Sequence, residues 1–213
     1  AATISKDNLL IASGSSDETV KIWDLEKREV AKSFHGPADD VYDLCFSPDA
    51  SLLALASAGE SIRIYNLLTD SLTYILKGHR AVVRKVDFSP DGRYLVSASE
   101  DHSLILWDAI RGEKIYHFTD NQGAILDARF FPDGKSVYSI SSDGILTQWE
   151  VHPEIFVQRY FDEKYRSELS ANPVFEARRK GEAKKDYEKR KAEASLQKTA
   201  IIQRYYEQYL QEL

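Results

Sequence analysis

The chain of 213 residues has few of the features that mark secreted or membrane proteins. It contains one cysteine, Cys45, which can form no internal disulfide, and this favours a reducing compartment. No apolar run approaches the ~18–20 residues that span a bilayer. With 43% hydrophobic residues, 29% charged residues and a formal net charge of −6, we expect a soluble, cytoplasmic protein.

Motifs for catalysis and metal binding are also scarce. The sequence has no H-E-x-x-H, no phosphate-cradling Gly-Lys-Ser/Thr loop and no G-x-S-x-G elbow. The acidic pairs Asp39–Asp40 and Glu100–Asp101 fall in predicted turns. The histidines show no metal-ligand spacing: His35, His79, His102, His117 and His152. We therefore predict that these residues form no catalytic site, bind no metal and need no cofactor.

A constant interval is what the sequence does contain. Four aromatic–polar pairs lie 42 residues apart: Trp23–Asp24, Tyr65–Asn66, Trp107–Asp108 and Trp149–Glu150. Insertions and deletions blur the spacing of unrelated aromatics, so an unbroken interval indicates one structural unit copied in tandem.

Other positions recur with the same interval. Phe46, Phe88 and Phe130 each precede a turn that contains Pro and Asp, which suits a tight reversal between two strands. Short segments rich in branched and aromatic residues follow each turn, as in Tyr94–Ala98 and Ser103–Trp107. Each copy is therefore predicted to be a four-stranded antiparallel sheet.

The third copy has the fullest set of recurring letters: Gly78-His79, Val83-x-x-Val86-x-Phe88-Ser-Pro-Asp-Gly92, Ser97-x-x-x-Asp101 and Trp107-Asp108. In these letters and their order it resembles a WD40 repeat. The resemblance covers residues 1–151 and implies an all-β fold, the β-propeller, in which four-stranded blades surround a channel. It also implies a hydrogen-bonded structural tetrad of His79, Ser97, Asp101 and Trp107. This structural role is favoured over a catalytic pair of His79 and Asp101.

The tetrad positions differ among the other copies. The first has Ser13, Asp17 and Trp23, and the fourth has Ser139, Asp143 and Trp149 with Asn121 in the place of the histidine. The second has none of the four residues, since the places are taken by Pro37, Leu55, Gly59 and Tyr65. We expect apolar packing and strand pairing to hold the second blade together.

About 3.5 blades are predicted. The first copy is expected to begin near Leu9 without its leading strand, and the fourth to contain three strands (124–130, 136–140 and 145–149). Three and a half blades leave sheet edges exposed, so we expect the chain to be the C-terminal part of a longer, seven-bladed protein. WD40 rings are closed by an N-terminal strand, which would complete such a last blade.

Residues 152–213 are predicted to form a helical tail. Val157, Phe161, Tyr165 and Leu169 recur at i+4, which indicates an amphipathic helix over residues 154–170. Asn172 and Pro173 indicate another helix start, and a long helix is expected from Glu182 to Leu213, after Gly181. Its apolar end, with Ile202, Tyr206, Tyr209 and Leu213, is expected to pack on the propeller, the first tail helix or a partner.

The tail also contains a basic run. It comprises Arg178, Arg179, Lys180, Lys184, Lys185, Lys189, Arg190 and Lys191, interleaved with Glu182, Asp186 and Glu188. Helical interleaving of opposite charges favours a solvated, ion-paired helix. An acidic protein or phosphate surface is the second interpretation and nucleic-acid binding the third.

The resemblance also implies a partner-binding face, where the first strand of each blade begins. The positions transferred to this sequence flank that strand's first apolar residue or precede the turn Asp: Asp40, Tyr42, Val82, Arg84, Ala124, Leu126, Ser16, Ala58, Glu100 and Ser142. Tyr42 and Arg84 are the residue types most often found in interface hot spots. The alternative is that they are ordinary rim residues.

These observations predict a non-catalytic scaffold. Its propeller face would bind a peptide or protein, and its tail would assemble it into a multi-subunit complex. One alternative is a regulatory propeller joined to an upstream catalytic domain, as in some bacterial WD-repeat proteins, which the tail around Asn172 resembles. Another is nucleic-acid or acidic-partner binding through the tail, with an affinity that falls steeply with salt.

Overall fold

The structure is a computed structural model that describes residues 1–15, 17, 19–36, 40–177, 179 and 182–212. The chain divides into two compact units, Ala1–Val151 and His152–Leu213. The first unit is built from strands and the second from helices, and each is described by itself.

The described part of the first unit contains fifteen strands in four antiparallel sheets, each with its strands in chain order. The first sheet comprises β1 (Ala2–Ile4), β2 (Leu10–Gly14), β3 (Thr19–Asp24) and β4 (Glu29–His35). The second comprises β5 (Val41–Phe46), β6 (Leu52–Ser57), β7 (Ser61–Asn66) and β8 (Ser71–Lys77). The third comprises β9 (Val83–Phe88), β10 (Tyr94–Ser99), β11 (Leu104–Asp108) and β12 (Glu113–Phe118). The fourth comprises β13 (Ile125–Phe130), β14 (Ser136–Ser141) and β15 (Leu146–Glu150).

The fold class is confirmed, including the three-stranded fourth sheet. Consecutive sheets pack side by side through their first strands, β1 on β5, β5 on β9 and β9 on β13. Within the described residues, the four sheets do not close into a ring. The number of blades in a complete ring stays a prediction.

The first sheet corrects the predicted strand count, because its leading strand is present as β1. The turn after it repeats the later ones: the Ser5 hydroxyl donates to Asp7 at 2.5 Å, as the Ser89 hydroxyl donates to Asp91 at 2.6 Å. Asn8 takes the positive φ (60°) that Gly92 has in the third sheet. The prediction was wrong because β1 has only three residues, too few for a visible alternation. Among the described residues, three sheets therefore have four strands each, and the fourth has three.

The hydrophobic core of this unit lies between neighbouring sheets. Ala12, Val20 and Ile22 of the first sheet pack on a set of larger residues in the second: Val41, Leu44, Phe46, Leu53, Leu55, Tyr65 and Leu67. The same packing recurs 42 residues later. Ala54, Ile62 and Ile64 of the second sheet are buried against residues of the third sheet, which include Val83, Val86, Phe88, Leu95 and Trp107. Small and aliphatic side chains on one sheet thus face larger ones on the next.

Two carboxylates on the first strands join neighbouring sheets. Asp43 of β5 accepts a hydrogen bond from the backbone N–H of Val86 at 3.1 Å, and also pairs with the Lys85 ammonium at 3.0 Å. Asp87 of β9 accepts from the backbone N–H of Phe130 at 2.8 Å. Charge-assisted bonds of this kind are stronger than neutral ones. These links were not predicted, because they depend on which strands become neighbours.

The second unit is a helical hairpin. Its helices are α1 (Pro153–Ala171) and α2 (Lys184–Gln211), with a 3₁₀ turn, Pro173–Phe175, between them. Asn172 caps this turn by accepting from the Val174 N–H at 3.1 Å. The predicted Asn-Pro helix start therefore begins a 3₁₀ turn, and α2 begins two residues after the predicted Glu182. Gly181 lies outside the described residues.

Aromatic side chains join the two helices in antiparallel order. Phe156 lies 5.4 Å from Tyr209, Tyr160 lies 4.8 Å from Tyr209, and Phe161 lies 5.2 Å from Tyr205, between ring centroids. Such pairs contribute ~0.5–1.5 kcal/mol each beyond the area they bury. The hairpin is thus held by its own aromatic seam.

Arg190 fastens the segment that connects the helices. Its guanidinium donates to the carbonyl oxygens of Val174, Glu176 and Ala177, and to the Glu182 carboxylate at 2.8 Å. The hydrogen bond from Arg190 lowers the pKa of Glu182 to about 2. One basic residue of α2 therefore supplies hydrogen-bond donors to three backbone carbonyls of the connecting segment.

Candidate functional site

The predicted binding-face positions meet in pairs at the start of the first strands. The backbone N–H of Ala58 donates to the Asp40 carbonyl at 3.1 Å, and that of Glu100 donates to Val82 at 3.0 Å. In the fourth sheet the N–H of Ser142 donates to the Ala124 carbonyl at 2.8 Å. In each of these three sheets, the residue that precedes the turn position of the Asp is therefore hydrogen-bonded to the residue that precedes the first strand of the same sheet. Ser16 lies outside the described residues.

Three of the predicted residues form one cluster across two sheets. The Arg84 guanidinium lies 4.6 Å from the centroid of the Tyr42 ring, a cation–π distance. The same guanidinium donates to the Glu100 carboxylate, from Nε at 2.7 Å and also from Nη2. Tyr42 belongs to the second sheet and the other two to the third. We call this group the Tyr42–Arg84–Glu100 cluster.

The cluster is accessible as well as ordered. The side chains of Arg84 and Glu100 are 36% and 33% exposed, and Tyr42 is 37% exposed. Within the described residues, both hydrogen bonds from the Arg84 guanidinium go to Oε1 of Glu100. A guanidinium has five N–H donors, so donors stay available for a partner. The arrangement can present a planar cation, an aromatic ring and a carboxylate to one ligand.

The other predicted face residues do not join this cluster. Leu126 occupies the position one repeat after Arg84 and is exposed, as are Asp40 and Ser142, while Val82 is half-buried. Among the described residues, no side-chain hydrogen bond or ion pair connects these four to the cluster.

The third sheet contains the hydrogen-bond network expected from the resemblance. His79 bonds to Asp101 at 3.0 Å through Nδ1 and to Ser97 at 2.7 Å through Nε2. The Trp107 indole N–H donates to the Ser97 hydroxyl at 2.8 Å. Because His79, Ser97 and Trp107 are buried, these bonds satisfy groups that would otherwise be costly to bury.

Asp101 closes this network at the turn. Burial acts to raise its pKa, but hydrogen bonds from His79, Ser103 and the Arg80 backbone N–H outweigh burial and hold the pKa well below its usual range. The carboxylate is therefore ionised and fully engaged with the turn. A base whose proton affinity is lowered in this way is poorly suited to catalysis.

The remaining sheets keep parts of the network. In the first sheet, the indole N–H of Trp23 donates to the Ser13 hydroxyl at 2.9 Å. In the fourth sheet, the indole N–H of Trp149 donates to the Ser139 hydroxyl at 2.8 Å. Asn121 does not complete the fourth sheet's network, because its buried Nδ2 has no hydrogen-bond partner among the residues that the structure describes. In the second sheet, Tyr65 donates to the His35 carbonyl at 3.3 Å and stacks on Phe34 at 4.5 Å. Pro37 lies outside the described residues.

A cavity of about 440 Å³ lies at the other end of the first strands, where Cys45 and Asp87 face each other at 3.8 Å. Burial raises the pKa of the Cys45 thiol to about 12, and burial also raises the pKa of Asp87. Such a thiol is protonated and unreactive at neutral pH. The described residues contain no group of three or more side chains suited to hold a metal ion.

The predicted tail residues are mostly occupied within the hairpin. Tyr209 is buried, and Tyr206 lies 5.3 Å from Phe156, so both belong to the aromatic seam. Ile202 is half-buried, and Arg179 pairs with Glu176 at 2.8 Å. Arg178 and Leu213 lie outside the described residues.

The basic run is only partly ion-paired. Arg179 and Arg190 have carboxylate partners. In the described part of the tail, none is found for the exposed ammonium groups of Lys184, Lys185, Lys189 and Lys191. None of the described helices is both long and apolar enough to cross a membrane.

Comparison with known proteins agrees with the repeats. The model of the WD domain, G-beta repeat family (WD40) matches residues 1–24, 28–66 and 70–108. The chain is similar to Superkiller complex protein 8 of Dictyostelium discoideum, with 48% identity over 46 residues, which are 22% of this chain and 15% of that protein. It is also similar to WD40 repeat-containing protein HOS15 of Arabidopsis thaliana, with 49% identity over 41 residues, 19% of this chain and 7% of that protein.

These matches span a small part of each relative, so they bear on the repeats and not on whole proteins. Proteins with WD40 repeats generally act as interaction scaffolds. The order of sheets, the turns and the network around Ser97 are those of the family's repeat. The chain is a WD40-repeat protein, with family repeats across residues 1–108 and a fourth sheet of similar build after them.

Proposed function

We propose that the first unit is a non-catalytic scaffold that binds a peptide or protein segment at the Tyr42–Arg84–Glu100 cluster. The observation that carries this proposal is the ordering of an exposed arginine by two neighbours, the ring at 4.6 Å and the carboxylate at 2.7 Å. Asp40, Val82, Leu126 and Ser142 would form the rim of the surface.

The cluster suits binding because the Arg84 side chain is already restricted, so it loses less conformational entropy when a partner binds. A free arginine side chain loses ~2 kcal/mol of rotamer entropy when it is fixed. Here the ion pair and the ring restrict Arg84 before a partner arrives. Preorganised aromatic and arginine side chains are the ones that dominate interface energies.

A role in a larger assembly is part of the proposal. The name of one relative, Superkiller complex protein 8, places that protein in a complex. Residues 1–151 carry a formal charge of −8, whereas residues 153–213 carry +2. Two units of opposite charge allow one chain to hold two different partners.

The test uses a displayed random-peptide library as the probe. The wild-type chain should enrich a consensus, and the double variant Tyr42→Ala/Arg84→Ala should lose it. The matched control is Tyr116→Ala/Arg129→Ala, because Tyr116 is 41% exposed and the Arg129 side chain 62% exposed, away from the cluster. Equal enrichment by all three proteins would refute a binding role for the cluster.

A second candidate concerns the tail, which would bind an acidic partner surface through α2. Four exposed lysines without an ion partner in the described residues favour it over a fully paired helix. Poly-glutamate and a DNA duplex serve as probes, with Lys185→Gln/Lys189→Gln as the variant and Lys27→Gln/Lys32→Gln in the first unit as the control. Binding that is insensitive to the tail variant would exclude this role.

A further inference from the structure

The cavity of about 440 Å³ at the ends of the first strands is lined by residues of all four sheets. Each lining residue belongs to the first strand of its sheet or to the turn that follows that strand. The cavity therefore lies where the four first strands run side by side. It is at the opposite end of these strands from the Tyr42–Arg84–Glu100 cluster.

The inner wall of the cavity is formed by one repeated position, which has a different side chain in every sheet. Residues 42 apart occupy it: Thr3, Cys45, Asp87 and Arg129. The first three side chains are short, and the fourth is a long cation. The Nε of Arg129 lies 3.9 Å from Oδ1 of Asp127, which is too far for a hydrogen bond. Among the described residues, the Arg129 guanidinium donates no hydrogen bond, so its donors are available.

The outer wall is formed by a second repeated position. Three of the turns have proline there and the first has lysine: Lys6, Pro48, Pro90 and Pro132. Proline has no N–H group, so its ring offers an apolar surface. Lys6 is exposed, and its ammonium has no carboxylate partner in the described part of the chain. The outer wall thus combines apolar surface with one ammonium group.

Other polar groups of the cavity are already engaged. The hydroxyls of Ser47 and Ser89 each donate to the Asp two residues later, at 2.6 Å. The Oδ2 atom of Asp87 accepts from the Phe130 N–H at 2.8 Å, and Oδ1 lies 3.8 Å from the Cys45 thiol, a weak donor. The strongest unused hydrogen-bonding groups of the cavity are therefore the two cations.

We propose that this cavity binds a small ligand with an oxyanion head group, a carboxylate or a phosphate, which Lys6 and Arg129 contact. Arginine can donate two parallel hydrogen bonds to either oxyanion, and lysine adds a point charge. The apolar body of the ligand would contact Pro48, Pro90 and Pro132. A volume of about 440 Å³ is typical of small-molecule sites.

Asp87 makes the proposed binding depend on pH. Its carboxylate lines the same cavity, with Cys45, Lys85 and Arg129 beside it. Burial raises the pKa of Asp87, and repulsion by an anionic ligand would raise it further. The ligand should therefore bind together with a proton, and its affinity should increase as the pH falls toward the pKa of Asp87.

Titration of the 213-residue chain with phenyl phosphate and with phenylacetate tests the proposal, with amide chemical shifts as the readout. At least one of these anions should give saturable shifts at Thr3, Cys45 and Asp87. The comparison of the two anions identifies the head group. The uncharged phenylethanol, which supplies the body without the anion, should give no such shifts. A chain that binds neither anion would overturn the proposal.

Variants at the two cations test which groups hold the anion. Lys6→Ala and Arg129→Ala should each weaken binding about tenfold. The matched control is Lys27→Ala/Lys77→Ala, which removes two exposed cations outside the cavity and should leave the affinity unchanged. An affinity that the Lys6 and Arg129 variants do not change, or that the control lowers equally, would overturn the proposal.

Asp87→Asn provides a readout that loss of folding cannot imitate. Asparagine keeps an oxygen for the Phe130 N–H but removes the negative charge. This variant should bind the anion more tightly than the wild type at about pH 7, and its affinity should change less between about pH 7 and about pH 5. Weaker binding by a folded Asp87→Asn variant would contradict the proposed site.

Discussion

Arg84 lies 4.6 Å from the Tyr42 ring, and the two residues are 42 positions apart, so equivalent residues of consecutive sheets touch. The same relationship joins Asp43 to Lys85 at 3.0 Å. Equivalent positions on the first strands are therefore neighbours in space, and a side chain there acts together with its own repeat equivalent.

Arg84→Ala is expected to separate binding from stability. Exposed cation–π contacts and exposed ion pairs each contribute ~1 kcal/mol or less, so the free energy of unfolding should fall by no more than about 2 kcal/mol. Peptide binding should be lost. Urea unfolding and binding to the selected peptide measure the two effects, and unchanged binding would show that Arg84 is a rim residue.

Ser97→Ala should destabilise the third sheet by about 1–3 kcal/mol, because it leaves the buried nitrogens of His79 and Trp107 without their shared partner. Ser13→Ala is the matched control. Trp23, its partner, is 38% exposed and can bond to water instead. We expect Ser13→Ala to lower the free energy of unfolding less than Ser97→Ala does, as measured by chemical denaturation. Equal losses for the two variants would argue against a special role for the buried network.

Asp101 predicts a stability that depends on pH. Its pKa is lower in the folded chain than the ~3.9 of an unfolded aspartate. The ionised Asp101 carboxylate therefore stabilises the folded state fully above pH ~3.9. This stabilisation is lost as the pH falls toward the pKa of Asp101 in the folded chain. Asp101→Asn should flatten this part of the stability curve between pH 5 and pH 2, measured by urea unfolding at each pH. An unchanged slope would assign the acid sensitivity to other carboxylates.

Asp43→Ala is expected to weaken the contact between the second and third sheets. It removes a charge-assisted bond to Val86 and an ion pair to Lys85, for a loss of about 2–3 kcal/mol. Asp70→Ala is the control, because its ion pair with Lys32 is 66% exposed on the Asp70 side. In thermal unfolding, Asp43→Ala should have a lower melting temperature than Asp70→Ala. Similar melting temperatures for the two variants would contradict the prediction.

Arg190→Lys should loosen the connection between the tail helices. A lysine ammonium keeps the charge but cannot reach several carbonyls and Glu182 at once. Amides of residues 172–177 should exchange faster with solvent. Arg179→Lys, in an exposed pair with Glu176, should leave this exchange unchanged.

Much of the architecture could be predicted because repeats leave a periodic record. The 42-residue interval located the turns and the strands of the second to fourth sheets, and the resemblance to the WD40 repeat implied the pairing of Trp107 with Ser97. Helical spacing located α1 to within one residue at each end. The short strand β1 was not predicted, because three residues cannot display an alternation. The available signal was Asp7, which lies 42 residues before the turn residue Asp49.

The candidate site was predictable only as separate positions. Tyr42, Arg84 and Glu100 were chosen one by one from the resemblance, and nothing in their spacing showed that they form one group. In the tail, Tyr206 and Tyr209 could equally have faced the propeller, α1 or a partner, and the hairpin places them against Phe156.

The repeating sheets follow from the amino-acid sequence alone, because local turn chemistry and alternation act over a few residues in each copy. Which copies contact each other depends on the tertiary fold. The Asp43–Val86 bond and the stacking of Arg84 on Tyr42 depend on the packing of one sheet beside the next. That packing is a long-range consequence of burying apolar faces, and the periodic spacing of one repeat does not show which side chains meet across two sheets.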